Sequence, residues 1–108
     1  MAFVAQALEG GTTYGVVRAV TDPDNRRAEF AILVRSDFKG HGLGELLMKK
    51  IIAYCRQRGT SELVGDILRE NQAMRALANE LGFRIVPGDF SEAVEVRLDL
   101  TQPAHPAI

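Results

Sequence analysis

The order of apolar and polar positions divides the chain into strand-like and helix-like stretches. Ala2–Glu9 is short and apolar, and Gly10-Gly11 follows as a turn whose residues tolerate positive φ. Thr13–Val20 (TYGVVRAV) is rich in β-branched residues, and Asp22-Pro23-Asp24-Asn25 after it is a second strong turn signal. Ala28–Val34 (AEFAILV) is almost continuously apolar, as expected of a central strand covered on both faces. The period then changes. Leu43, Leu46, Leu47, Ile51, Tyr54 and Cys55 recur at helical spacing with Glu45, Lys49, Arg56 and Arg58 between them, and Gly59 stands where a glycine would end that helix. Glu62–Leu68 (ELVGDIL) reads as another strand. Asn71 is a good N-cap for a shorter helix with Met74, Leu77, Ala78 and Leu81 on its buried stripe and Gly82 at its end. Phe83–Val86, a Pro87-Gly88 turn and the alternating Ala93–Leu100 (AVEVRLDL) complete the chain as two strands. The predicted order is β-β-β-α-β-α-β-β, an α/β (α+β) fold with a mixed sheet and two helices. Its central strand–helix–strand unit is expected to be a right-handed parallel crossover.

Composition narrows the class of protein without naming a function. A length of 108 residues suits one compact domain, and 46% apolar with 25% charged residues is ordinary for a globular chain. Thirteen Lys and Arg against fourteen Asp and Glu give a net charge of −1, which argues against binding to a nucleic-acid backbone. The lone Cys55 excludes an internal disulfide and a zinc site built on several thiolates, and it suits a reducing cytoplasm. On the apolar stripe of the long helix it is expected to be a structural, unreactive thiol. No apolar run approaches the roughly 20 residues of a membrane span, and Met1–Gly10 lacks the features of a secretion signal, so neither a membrane nor nucleic acid is expected as a partner. Thr101–Ile108, with two prolines, reads as a tail.

The sharpest feature is Lys39-Gly40-His41-Gly42-Leu43-Gly44, between the apolar strand and the amphipathic helix. Glycines at alternate positions turn the backbone tightly and keep Cβ atoms away from the amides. Those amides lead into a helix whose first N–H groups are unpaired and whose dipole is positive at that end, so phosphate or pyrophosphate is the natural guest. Lys39 adds a full charge at the mouth. The spacing is not the G-x-G-x-x-G of a dinucleotide fold, and no Gly-Lys-Ser/Thr ending marks a P-loop. His41 either touches a phosphate or is an idle exposed side chain.

At these residues the chain resembles the GNAT superfamily of acyl-CoA N-acyltransferases. Val34-Arg35-Ser36-Asp37-Phe38-Lys39-Gly40-His41-Gly42-Leu43-Gly44 is similar to that family's pyrophosphate loop. Asn71, 27 residues beyond Gly44, opens a helix ending in Leu81-Gly82-Phe83, like the family's second coenzyme-contacting helix. AEFAILVRSDFKGHGLG with the preceding TDPDN most resembles the C-terminal acetyltransferase domain of bacterial protein lysine acetyltransferases. The resemblance covers about residues 2–100, and it implies a mostly antiparallel sheet, acetyl-CoA as co-substrate and no metal. It implies that Ile32, Leu33 and Val34 offer backbone groups to the pantetheine arm. Amides of Gly40, His41, Gly42, Leu43 and Gly44 would hold the pyrophosphate, with Lys39 where many members have Arg. Asn71 would both cap its helix and touch the pantetheine.

Glu29 is the candidate catalytic residue. It lies among apolar neighbours, where a buried carboxylate is costly without a purpose or a partner, and burial would raise its pKa toward neutrality. The alternative is an ion pair with Arg26, Arg27 or another base. In the lysine acetyltransferases that this chain resembles, a glutamate at the matching position of the AEF segment is the general base. Asp66 is a weaker second acid, equally well explained as a turn-end or ion-pair residue. Many family members carry a Tyr as general acid seven residues after the capping Asn, and here that position is Ala78.

The family's usual fold begins with a strand and two helices ahead of the matching region, whereas this chain starts at Met1-Ala2-Phe3. The expectation is therefore a domain over 1–100 without those elements, with an exposed face or edge of its sheet. That exposure favours a homodimer or a place in a longer chain. The implied function is acetyl transfer to an amine, most simply a protein lysine. The alternatives are a non-catalytic acyl-CoA-binding regulatory module, an inactive fragment or an interaction domain.

Overall fold

In the computed structural model, which describes residues 2–6, 13–35, 42–86 and 92–101, the elements follow the predicted order. They are β1 (Ala2–Gln6), β2 (Thr13–Thr21), β3 (Arg27–Val34), α1 (Leu43–Gln57), β4 (Glu62–Leu68), α2 (Gln72–Glu80), β5 (Arg84–Val86) and β6 (Ala93–Asp99). The strands form one sheet in the order β1-β2-β3-β4-β6-β5. The β3–β4 pair is parallel, because α1 carries the chain back between them, and the remaining pairs are antiparallel. The mixed, mostly antiparallel sheet with two helices is the fold expected from the sequence.

Both helices share one core with one face of this sheet. Val17 and Ala19 on β2, Ala28 and Phe30 on β3, Leu63 and Ile67 on β4, and Val94, Val96 and Leu98 on β6 cluster with the buried side of α1 and with Ala78 of α2. The opposite face carries no helix among the described residues, which corrects the expectation for Ala28–Val34. That strand alternates, with Ala28 and Phe30 buried and Glu29, Ala31 and Leu33 exposed, so it is covered on one side only. Leu46 is likewise corrected, being 51% exposed. The stripe of α1 runs through Leu43, Leu47, Ile51 and Cys55 and widens toward Met48 and Ile52, which leaves Leu46 on its far side.

Local chemistry ends each helix where the sequence signalled. Past α1, Gly59 at φ 79 donates to the Arg56 carbonyl and Thr60 N–H to that of Cys55, the paired bonds of a Schellman end. Gly82 at φ 97 and Phe83 repeat the arrangement on Asn79 and Ala78. The turn between β2 and β3 is held by Asp22, whose Oδ1 accepts from the Arg26 and Arg27 amides at 2.8 and 3.3 Å. Asn25 then ties this turn to the α1–β4 junction: its Nδ2 donates to the Arg58 carbonyl at 2.8 Å, and the buried Thr60 hydroxyl donates to its Oδ1 at 2.7 Å. Ser61 and Glu62 amides both donate to the Arg26 carbonyl. One end of the β3–β4 pair is thereby clamped shut. Among the described residues no helix is long and apolar enough to cross a membrane.

Candidate functional site

The other end of the β3–β4 pair is open. The ladder runs only through Arg27–Glu62, Ala28–Leu63 and Glu29–Val64, although β3 continues to Val34 and β4 to Leu68. Beyond Glu29 the facing edges diverge, and their peptide groups have no ladder partner across the gap. At the divergence the Phe30 ring lies over Gly65, where a Cβ would come within 2.5 Å of it. The gap widens into a cleft of about 660 Å³, floored by Glu29–Val34 of β3 and Asp66–Leu68 of β4. The start of α1 (Gly42 to Glu45) and the start of α2 (Asn71, Ala73, Met74 and Leu77) form its mouth and flank.

This cleft gathers most of the residues singled out from the sequence. Glu29, Ile32, Leu33, Val34, Gly42, Leu43, Gly44 and Asn71 all line it. Lys39, Gly40 and His41 lie outside the described residues, and so do Pro87-Gly88 and 102–108 of the tail. Gly42 caps α1 in the left-handed region at φ 78 and ψ 5, with no side-chain cap. The Leu46 amide makes the first intrahelical bond, to the Gly42 carbonyl at 3.1 Å, so the amides of Leu43, Gly44 and Glu45 have no acceptor within the helix. These donors and the positive helix end stand at the cleft mouth, an arrangement suited to an anionic group. A Cβ on Gly44 would meet only Leu77, at an ordinary 3.7 Å, so protein packing does not demand a glycine there. Close approach of a ligand to that backbone would.

Asn71 caps α2 as expected, its Oδ1 accepting from the Met74 amide at 3.1 Å. Its Nδ2 makes no hydrogen bond among the described residues, which leaves a donor at the cleft edge.

Glu29 requires a correction. Its side chain is exposed, not buried, because strand alternation turns it away from the helices and onto the uncovered face. The ion-pair alternative is also not seen: Arg27 Nε is held by Glu62 at 3.0 Å, and Glu29 forms no ion pair among the described residues. Asp66 is exposed in the cleft and equally unpaired. Ala78, the position at which the resemblance led one to look for a general acid, is 1% exposed and belongs to the core, so it supplies no proton donor. Cys55 is free and buried, and burial pushes its thiol pKa up, as fits a structural residue. No group of three or more His, Cys, Asp or Glu able to hold a metal ion occurs among the described residues.

The sequence reading missed the cleft itself and the walls formed by Leu68, Met74 and Leu77. A glycine inside a strand pattern, Gly65 in ELVGDIL, is the signal that could have marked the divergence, since it permits close approach from the neighbouring strand.

Comparison with known proteins places the chain in a family. The profile of the acetyltransferase (GNAT) family matches residues 1–83. An acetyltransferase of Pseudomonas aeruginosa is 33% identical over 85 residues, 77% of this chain and 46% of that protein. Among solved structures, yncA of Salmonella typhimurium, an acetyltransferase with its cofactor acetyl-CoA, superposes with a TM-score of 0.72 at 25% identity, over 91% of this chain and 64% of its own. A cAMP-binding acyltransferase of Mycobacterium smegmatis gives a TM-score of 0.77 at 26% identity, over 92% of this chain and 31% of its own. The chain thus spans about half the length of the curated relative and less than two thirds of yncA. Family profile, sequence relative and shared fold agree: the chain belongs to the acetyltransferase (GNAT) family.

Proposed function

We propose that the chain binds acetyl-CoA in the β3–β4 cleft and transfers the acetyl group to a primary amine, a protein lysine, with Glu29 as general base. The observation that carries this reading is the split ladder, which joins free strand-edge peptide groups, the bare N-terminus of α1 and an unpaired carboxylate in one cleft. Glu29 and Val34 are about 16 Å apart along β3 at about 3.3 Å per residue, a span comparable with an extended pantetheine arm. Pyrophosphate on the α1 amides therefore directs the thioester toward Glu29. The Asn71 amide adds a contact along the way.

The chemistry is direct transfer. A lysine ε-ammonium, with an ordinary pKa of about 10.4, must lose a proton before its nitrogen has a lone pair to donate. Glu29 takes that proton directly or through one water. The nitrogen attacks the thioester carbonyl carbon, the C=O electron pair moves onto oxygen, and β3 backbone N–H groups stabilise the oxyanion. Collapse re-forms the carbonyl, breaks the C–S bond and releases CoA thiolate, and the nitrogen gives its second proton to water or to that thiolate. Since Ala78 offers no acid, the thiolate leaves without help from that position. Since Glu29 is open to water in the chain alone, bound coenzyme, acceptor or a partner on that sheet face would enclose it.

The buried Ala78 and the exposed Glu29 favour one second reading, a non-catalytic acyl-CoA-binding module. Calorimetric titration with acetyl-CoA and an amine-acetylation assay separate the two. Glu29→Gln should bind acetyl-CoA normally and transfer about 10²–10⁴-fold more slowly, while Gly42→Glu should lose binding. Equal transfer by Glu29→Gln would remove the general-base role.

Two further parts of the reading concern the chain's setting. Val20, 70% exposed on the helix-free sheet face and outside the cleft, supports a homodimer or a place within a longer chain. The single unpaired thiol supports a cytoplasmic location.

A further inference from the structure

We propose that Asp66 selects acceptors that carry a second positive charge near the reacting amine. This inference rests on the amine-transfer reading above and deepens it. In the β3–β4 register Glu29 faces Val64, so Asp66, two residues farther along β4, projects from the same sheet face. Strand spacing of about 4.8 Å and rise of about 3.3 Å per residue put the two Cα atoms about 8 Å apart, and the divergence adds to this.

The charges on that face are unequally satisfied. At the closed end Arg27 and Arg97 bracket Glu62 at 3.0 and 4.0 Å, and Arg97 Nε also holds Glu95 at 2.6 Å. Glu95 is the register partner of Asp66, so the acid nearest to Asp66 on β6 already has its cation. Hydrogen bonds from the Thr101 hydroxyl and amide hold the Asp99 carboxyl below its usual range, and Arg84, at the far edge, adds to this. Arg18 on β2 stands opposite Ala31 and forms no ion pair with either cleft acid. Glu45, the third acid lining the cleft, pairs with Lys49 at 3.2 Å. Among the described residues no Lys or Arg lines the cleft.

Among the described residues, Glu29 and Asp66 are therefore two uncompensated carboxylates about one short side chain apart. The coenzyme does not neutralise them: its phosphates are anionic and sit at the opposite end of β3. If Glu29 takes the proton of the reacting ammonium, no cation among the described residues is left to match Asp66, and a second cation on the acceptor would. Leu68, two residues beyond Asp66 on the same face and 50% exposed, gives the acceptor an apolar edge beside that acid. The recognised chemistry is a primary amine joined by an apolar stem to another ammonium or guanidinium. Lysine beside a basic residue and an aliphatic diamine both provide it.

The experiment compares matched acceptors on the full chain at saturating acetyl-CoA: blocked peptides with Lys beside Arg or beside Leu, and 1,5-diaminopentane against pentylamine. The dicationic acceptor should be preferred about tenfold in kcat/KM, through acceptor KM. Asp66→Asn should reduce that preference to about twofold or less, Asp66→Glu should retain it, and 0.5 M salt should erode it to about the same extent. Preference confined to the peptides identifies a protein acceptor, and preference confined to the diamines a small polyamine. If coenzyme binds without turnover, the same ratio is read from equilibrium binding of the two amines. An absent preference, or one unchanged in Asp66→Asn, overturns the role of Asp66 while calorimetric binding of acetyl-CoA still upholds the cleft. Failure of the unaltered chain to bind acetyl-CoA overturns both.

Discussion

Ala28 is fully buried and its neighbour Glu29 is exposed, and that single alternation decides which residue is available for chemistry. The period-2 geometry of a strand makes the assignment, while the apolar run around Glu29 conceals it, because Ala31 and Leu33 are apolar yet exposed. At Gly65 the constraint is steric. Gly65→Ala would force its Cβ against the Phe30 ring and should destabilise the fold by about 1–3 kcal/mol. Chemical denaturation measures this, and adding Phe30→Leu should recover part of the loss. Cys55 belongs to the same scale. Burial raises its folded pKa, so the neutral thiol contributes stability below the ordinary thiol range that is lost as pH rises through the folded value. A thiol reagent at pH 8 should react slowly with the folded chain and rapidly in urea. Rapid reaction without denaturant would contradict the burial.

At the scale of elements, helix ends were legible because they are local. Asn71, Gly59 and Gly82 each stand where capping chemistry needs them, and each makes the bonds that such caps make. The cap made by Asn71 and its proposed contact with the coenzyme separate by mutation. Asn71→Ala should cost about 1 kcal/mol of stability through loss of the cap. Asn71→Asp keeps an oxygen for the Met74 amide but removes the Nδ2 donor and adds negative charge at the cleft. It should melt near the parent temperature and bind acetyl-CoA several-fold more weakly. Unaltered binding would limit Asn71 to capping. The strand boundaries were legible for similar reasons, Glu62–Leu68 included. The divergence of β4 from β3 was not, since no local preference says how far two strands stay paired.

At the scale of the molecule, the sheet is helix-covered on one face and carries the exposed Val20 on the other. Exposed apolar surface of this kind favours burial against another chain. Sedimentation over a range of concentrations should show self-association, weakened by Val20→Lys, which lies outside the cleft; a dilute and a concentrated sample that both behave as monomer would count against the homodimer. The same architecture places the cleft. The Asn25–Thr60 tie and the Arg27–Glu62–Arg97 ion pairs hold β3 to β4 at one end, so the opening develops at the other, beneath the start of α1.

The sequence alone determined the element order, the helix ends, the glycine turn into α1 and the candidacy of Glu29, because each is written in local periodicity, turn chemistry or capping. Only the tertiary structure decided which sheet face the helices cover, that Glu29 is open to solvent, and that β3 and β4 part to form a cleft shared with Asp66. Those outcomes depend on side chains far apart in the chain meeting, as Phe30 meets Gly65, and burial is a property of the assembled core rather than of any run of neighbours.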